Sequence, residues 1–175
     1  MIDRGLVDHL AARQVRCCVI GGVALAVHGV ARYTIDVDLL TMDRAVLGPG
    51  FWQGQPVGEI RSGDADDPIA GLVRWPGPPP HDLLVGRGHA AQLAVDTAAT
   101  SDVLGCPVAT PLALTLLKLE AGGPQDCWDV VSLIQAHRAL GRAAWVDEVP
   151  AHLPRLSAEA RDCWTRVAPA PRRSP

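Results

Sequence analysis

Apolar and polar positions follow one rhythm in the first half of the chain and another in the second. Met1 to Arg13 spaces its apolar residues for one face of an amphipathic helix. Val15 to Ile20 is a short apolar run that reads as a buried strand. It leads into Gly21-Gly22, and Val23 to His28 reads as a short helix behind that pair. Ile35 to Leu40 alternates aliphatic residues with Asp36 and Asp38, the period of a strand. Further strands are expected near 57–61, 71–75, 81–85 and 102–108. The segments 71–75 and 81–85 read as partners joined by Pro76-Gly77-Pro78-Pro79-Pro80, a link longer and stiffer than a two-residue hairpin turn. From Thr110-Pro111, an N-cap followed by proline at the first helical position, the rhythm is helical, with helices near 111–121, 125–138, 142–149 and 156–166. The pattern predicts an α/β (α+β) fold: a mixed sheet backed by helices over residues 1–110, a helical part over 111–167 and a disordered tail over 168–175. Gly48 to Asp67, rich in glycine, proline and acidic residues, has no clear element.

Composition narrows this picture. A chain of 175 residues, 48% hydrophobic, makes one globular domain or one domain with a helical appendage. No apolar run is long enough to span a bilayer, and the amino terminus lacks the h-region and cleavage site of a signal peptide, so a cytoplasmic protein is expected. The five cysteines are odd in number and include no C-x-x-C, which favours buried thiols over disulfides or zinc. A net charge of −3 gives no general attraction to nucleic acid, although arginines thicken after residue 137.

The candidate chemistry begins at Asp36 and Asp38. On an extended strand their Cα atoms lie about 6.6 Å apart on one face. Two carboxylates about 4 Å apart repel by about 4 kcal/mol at a near-surface dielectric. The pair therefore calls for a metal ion, a basic partner or full solvation, and an amphipathic edge strand with a wet face satisfies the last of these. Gly21-Gly22 allows a sharp turn and close approach to a ligand, so the start of the following helix reads either as a phosphate seat or as an ordinary strand-to-helix connection. The chain contains neither a P-loop nor a dinucleotide-binding glycine motif.

Strand, Gly21-Gly22, short helix and then Asp36-Val37-Asp38 on the next strand resemble the nucleotidyltransferase superfamily of the DNA polymerase β type. With His28-Gly29, Arg32 and Thr34 between them, the segment looks most like small bacterial AbiEii-toxin-like proteins. The resemblance implies a nucleotidyltransferase-type sheet and a third carboxylate on a later strand, for which Asp82 is the candidate. It implies Mg2+, one or two ions, on Asp36, Asp38 and Asp82, with Asp82 either acting as general base or completing the second metal site. Gly21 and Gly22 would seat phosphates, Arg32 would hold a triphosphate tail, and Thr34 would cap locally or donate to phosphate. A lysine on the helix after the Thr-Pro start is also implied, followed by an aspartate: Lys118, the only lysine in the chain, and Asp126. Asp126 and Asp129 lie at i, i+3, so either would orient Lys118 or cap the next helix. His28, a lone histidine ending an apolar helix, reads as a packed structural residue, and His81 points to the strand face opposite Asp82.

These residues together predict an enzyme that moves an NMP from an NTP to an acceptor hydroxyl, on tRNA, a protein or a small molecule such as an aminoglycoside. A toxin role with an antitoxin partner belongs to the same resemblance. The alternative is a nucleotide-binding or regulatory module that keeps the fold and turns over little.

Overall fold

A computed structural model describes residues 2–168; most of the segment 168–175, expected to be a disordered tail, lies outside them. The described residues form seven strands, β1 (Cys17–Val19), β2 (Val37–Thr41), β3 (Glu59–Ser62), β4 (Ile69–Trp75), β5 (His81–Gly86), β6 (Ala99–Thr100) and β7 (Pro107–Val108). Around them lie helices α1 (Arg4–Ala12), α2 (Gly21–Val27), α3 (Gly88–Thr97), α4 (Pro111–Ala121), α5 (Pro124–Ala139), α6 (Val149–His152) and α7 (Ala158–Val167). The strands make one mixed sheet in the order β3-β4-β5-β2-β1-β7-β6. β2–β5 and β1–β7 are parallel and the other pairs antiparallel.

Strand register aligns the charged side chains. Asp38 on β2 lies opposite Asp82 on β5, and Asp82 lies opposite Arg74 on β4. Direct cross-strand neighbours share a sheet face, so Arg74, Asp82 and Asp38 stand in a row across three strands. Val37, His81 and Trp75 make the equivalent row on the other face. Helix α1 packs there: its N-cap Asp3 accepts from Leu6 N and donates its own backbone N–H to His81 Nε2 at 3.0 Å. Leu6 and Leu10 of α1 are fully buried, each such side chain contributing about 1.5–3 kcal/mol. His81 is therefore a core residue, as its strand phase implies. On the face of Asp82, Gly86 admits α3, since a Cβ there would stand 2.5 Å from that of Ala91.

The helical half is built by caps and leucines. Thr110 Oγ1 accepts from Ala113 N at 3.3 Å, an N-cap worth about 1 kcal/mol. Gly122 closes α4 in the left-handed conformation, with φ 66°. Leu116 and Leu119 of α4 then pack with Val130 and Ile134 of α5 and with Ala160 and Trp164 of α7 in a second apolar cluster beside the sheet core. His28 Nε2 donates to the Ala109 carbonyl at 2.9 Å, tying the end of α2 to the entrance of α4.

Several elements differ from those the sequence pattern predicts. Residues 88–97, for which the pattern predicts no element, form α3, whose Ala90, Ala91, Ala94 and Val95 are all buried. The expected strand 102–108 shrinks to β7, because 101–105 turns back to pair β6 with it. The helix expected at 142–149 is a 3-10 turn, Ala144–Glu148, running into α6. Gly48–Asp67 supplies a second 3-10 turn, Pro49–Trp52, and the edge strand β3. The cysteines are free thiols, and burial pushes Cys17 up to about 11 and Cys18 up to about 12, so both stay protonated.

Candidate active site

Asp36, Asp38 and Asp82 each bring a carboxylate oxygen to within 4.8 Å of the others. The strand begins at Val37, so Asp36 stands at its entrance and Asp38 within it. Asp36 is held by Thr34, whose Oγ1 donates to Asp36 Oδ1 at 2.9 Å and lies 3.2 Å from its carbonyl oxygen. Asp38 carries the electrostatic strain of the group. Burial, then the charges of Asp36 and Asp82, raise its carboxyl from 3.8 to about 6. Lys118 and Arg32 are near enough to oppose that rise.

The glycine pair makes room for these groups. Helix α2 starts at Gly21 itself, with φ 63°, and not two residues later. A Cβ on Gly21 would fall 2.0 Å from Asp38 Oδ2, and one on Gly22 would fall 2.9 Å from Thr34 Cβ. Two glycines are needed here because the carboxylate and the threonine occupy the space where side chains would start.

Asp82 is not the lone carboxylate at a strand start that its neighbouring prolines suggest. Both its oxygens are taken by Arg74, Nε to Oδ1 at 2.8 Å and Nη2 to Oδ2 at 2.5 Å. This is the fork-to-carboxylate arrangement that favours arginine. Sequence reasoning gives Arg74 no role. The signal is nevertheless present: pairing 71–75 with 81–85 across the proline link places Arg74 against Asp82.

A second charged cluster stands on the helices. Lys118 Nζ donates to Asp126 Oδ1 at 2.6 Å and lies 2.9 Å from Asp129 Oδ2. Asp126 both orients Lys118 and caps α5, its Oδ2 accepting from Gly123 N at 3.3 Å. Asp129, 4% exposed, also takes the Arg32 guanidinium. Arg32, which the sequence reading sets on a triphosphate tail, is thus paired through one nitrogen with Asp129. Thr34 makes a local contact, with Asp36. The Arg32–Asp129 pair ties the loop before β2 to α5, and the two cations that Asp129 meets offset the cost of burying it.

The residues fit a divalent cation. The donors are all carboxylate oxygens, the set preferred by hard ions such as Mg2+. Three carboxylates this close repel one another, and a divalent cation among them would relieve that repulsion.

No family model and no curated protein matches the sequence. Solved structures do match in shape. The crystal structure of ANT(2'')-Ia in complex with adenylyl-2''-tobramycin superposes with a TM-score of 0.53 at 17% identity, over 93% of this chain and 95% of that one. The solution structure of the antibiotic-resistance factor ANT(2'')-Ia gives a TM-score of 0.52 at 17% identity, over 85% and 87%. The chain has the nucleotidyltransferase fold. Among the described residues, no helix is long and apolar enough to cross a membrane.

Proposed function

We propose that this chain transfers a nucleoside monophosphate from a nucleoside triphosphate to an acceptor hydroxyl. The observation that carries the proposal is the convergence of Asp36, Asp38 and Asp82 beside Gly21-Gly22 in this fold. Asp36 and Asp38 would hold Mg2+, with Asp82 alongside. A bound ion supplies neutralisation of the charge that develops on the phosphates. The remaining work belongs to the protein. The backbone of Gly21-Gly22, free of Cβ atoms, lets the phosphates approach Asp38. Thr34 keeps Asp36 in place, and Lys118, aligned by Asp126 and Asp129, holds an ammonium near enough to act on Asp38. The acceptor oxygen forms its bond to the α-phosphorus as the bond from that phosphorus to the β-phosphate bridge breaks, and pyrophosphate leaves. The acceptor proton passes to an Asp82 oxygen, each of which keeps a lone pair beyond the Arg74 fork.

The Lys118–Asp126 pair supports the AbiEii-like subtype, and with it an antitoxin partner. A small polyhydroxylated acceptor is supported by the ANT(2'')-Ia likeness, because that protein's complex contains an adenylylated aminoglycoside. Of the three acceptor classes we favour the small molecule: the net charge of −3 suits a cationic acceptor better than RNA. A weak nucleotide-binding module is the second reading, favoured by the engagement of both Asp82 oxygens. The deciding experiment is a Mg2+-dependent transfer assay with α-labelled ATP, GTP, CTP and UTP against aminoglycosides, total RNA and cell lysate, beside an Asp36→Asn, Asp38→Asn variant. Label transfer lost in the variant establishes the enzyme and its acceptor class. Nucleotide binding without transfer establishes the module.

A further inference from the structure

We propose that Arg74 is the built-in second cation of the carboxylate site, so that the chain holds one divalent ion, on Asp36 and Asp38, where two would otherwise fit. The proposal rests on the nucleotidyl-transfer reading and adds the ion count and a positioning residue for it.

Arg74 stands in the cross-strand row with Asp82 and Asp38, on the side of Asp82 away from β2. It uses two nitrogens on the two oxygens of one carboxylate, at 2.8 and 2.5 Å. Such a fork occupies one lone pair on each Asp82 oxygen, on the side where a second ion would be chelated by both oxygens, so an ion bound in that way has to displace it. The Arg74 side chain is also 44% exposed while that of Asp82 is 12% exposed, so the arginine is the solvent-facing member of the pair. Charge balance agrees: one divalent ion and one guanidinium offset three carboxylates in full. Arginine suits the position because its charge is permanent at any working pH. Lys118 and Arg32 act on Asp38 only from a distance: their ion pairs are with Asp126 and Asp129 and, among the described residues, with none of the three carboxylates.

The test is a titration of the full chain with Mn2+ alone, free ion being read by electron paramagnetic resonance. The unaltered chain takes up one ion, Asp36→Asn weakens that uptake at least tenfold, and Arg74→Gln takes up a second ion. Arg74→Lys, which keeps the charge, stays at one. The Arg74→Gln, Asp82→Asn double variant also stays at one, which separates a vacated Asp82 from a general gain in negative potential. Thermal melts of each variant show that it is folded. Two ions on the unaltered chain, or one ion on both it and Arg74→Gln, overturn the role of Arg74 and leave the transfer reading standing. No ion on either chain overturns both.

Discussion

The sheet and the helices each carry a charged cluster, and the two are balanced in opposite ways. On the helices, Lys118 and Arg32 meet Asp126 and Asp129, two cations against two anions, and the balance allows Asp129 to be buried to 4% exposure. On the sheet, three carboxylates have Arg74 as their one ion-pair partner among the described residues, and burial, together with the charges of Asp36 and Asp82, raises Asp38 to about 6 against the opposing pull of Lys118 and Arg32. A balanced cluster holds structure together. In the proposed function the unbalanced one takes its missing charge from a bound ion, so the same residue types would serve the fold in one region and a ligand in the other.

The sharpest way to break this contrast is to remove anions from each side. On the sheet, the Asp36→Asn, Asp38→Asn variant should lose NMP transfer by about a thousandfold or more, since the ion and its neutralising charge go together. Its metal-free melting temperature should hold or rise. A fall in stability without loss of transfer would show the pair to be structural. On the helices, Asp129→Ala should do the reverse to stability, lowering it by about 3 kcal/mol in urea titrations, because Lys118 and Arg32 are left beside each other without their shared anion. A neutral result would mean that the cluster is not balanced as described.

A finer test uses pH. Asp38 titrates near 6 in the folded chain and near 3.8 when unfolded, so the folded state binds the extra proton between those values. The contribution of Asp38 to metal-free stability therefore increases as pH falls through 6 and levels off below about 4. Asp38→Asn should raise the melting temperature by a few degrees at pH 7.5 and by nothing at pH 4. A difference that stays constant with pH would place the strain elsewhere. The smallest effect belongs to Thr34→Val, which removes one hydrogen bond to Asp36. At about 1 kcal/mol this should weaken Mn2+ binding about fivefold with little change in melting temperature.

How much of this is legible in the sequence depends on how far apart the partners lie. Asp36, Asp38 and the glycine pair declare themselves within one short window, through alternation and a missing Cβ. Thr110-Pro111 declares its helix for the same local reason. Helix α3 is legible in principle, with buried Ala90, Ala91, Ala94 and Val95 on one face and exposed Gln92 and Asp96 on the other, but its apolar face is made mostly of alanine and so gives only a weak hydrophobic signal. Arg32 points to phosphate in the sequence because its partner, Asp129, lies 97 residues away, and only the packing of α5 brings the two together. Arg74 is an intermediate case: its strand and that of Asp82 are both expected, and their register alone pairs the two side chains.

That register also sets an order of assembly. Arg74 and Asp82 are eight residues apart, within one antiparallel hairpin, whereas Asp38 meets Asp82 only when the chain from β2 has made its whole excursion and closed a parallel seam. Local pairings form before distant ones because they close shorter loops. Asp82 therefore reaches Asp38 already carrying its guanidinium, and the last stage of folding brings together charges that have been partly screened in advance.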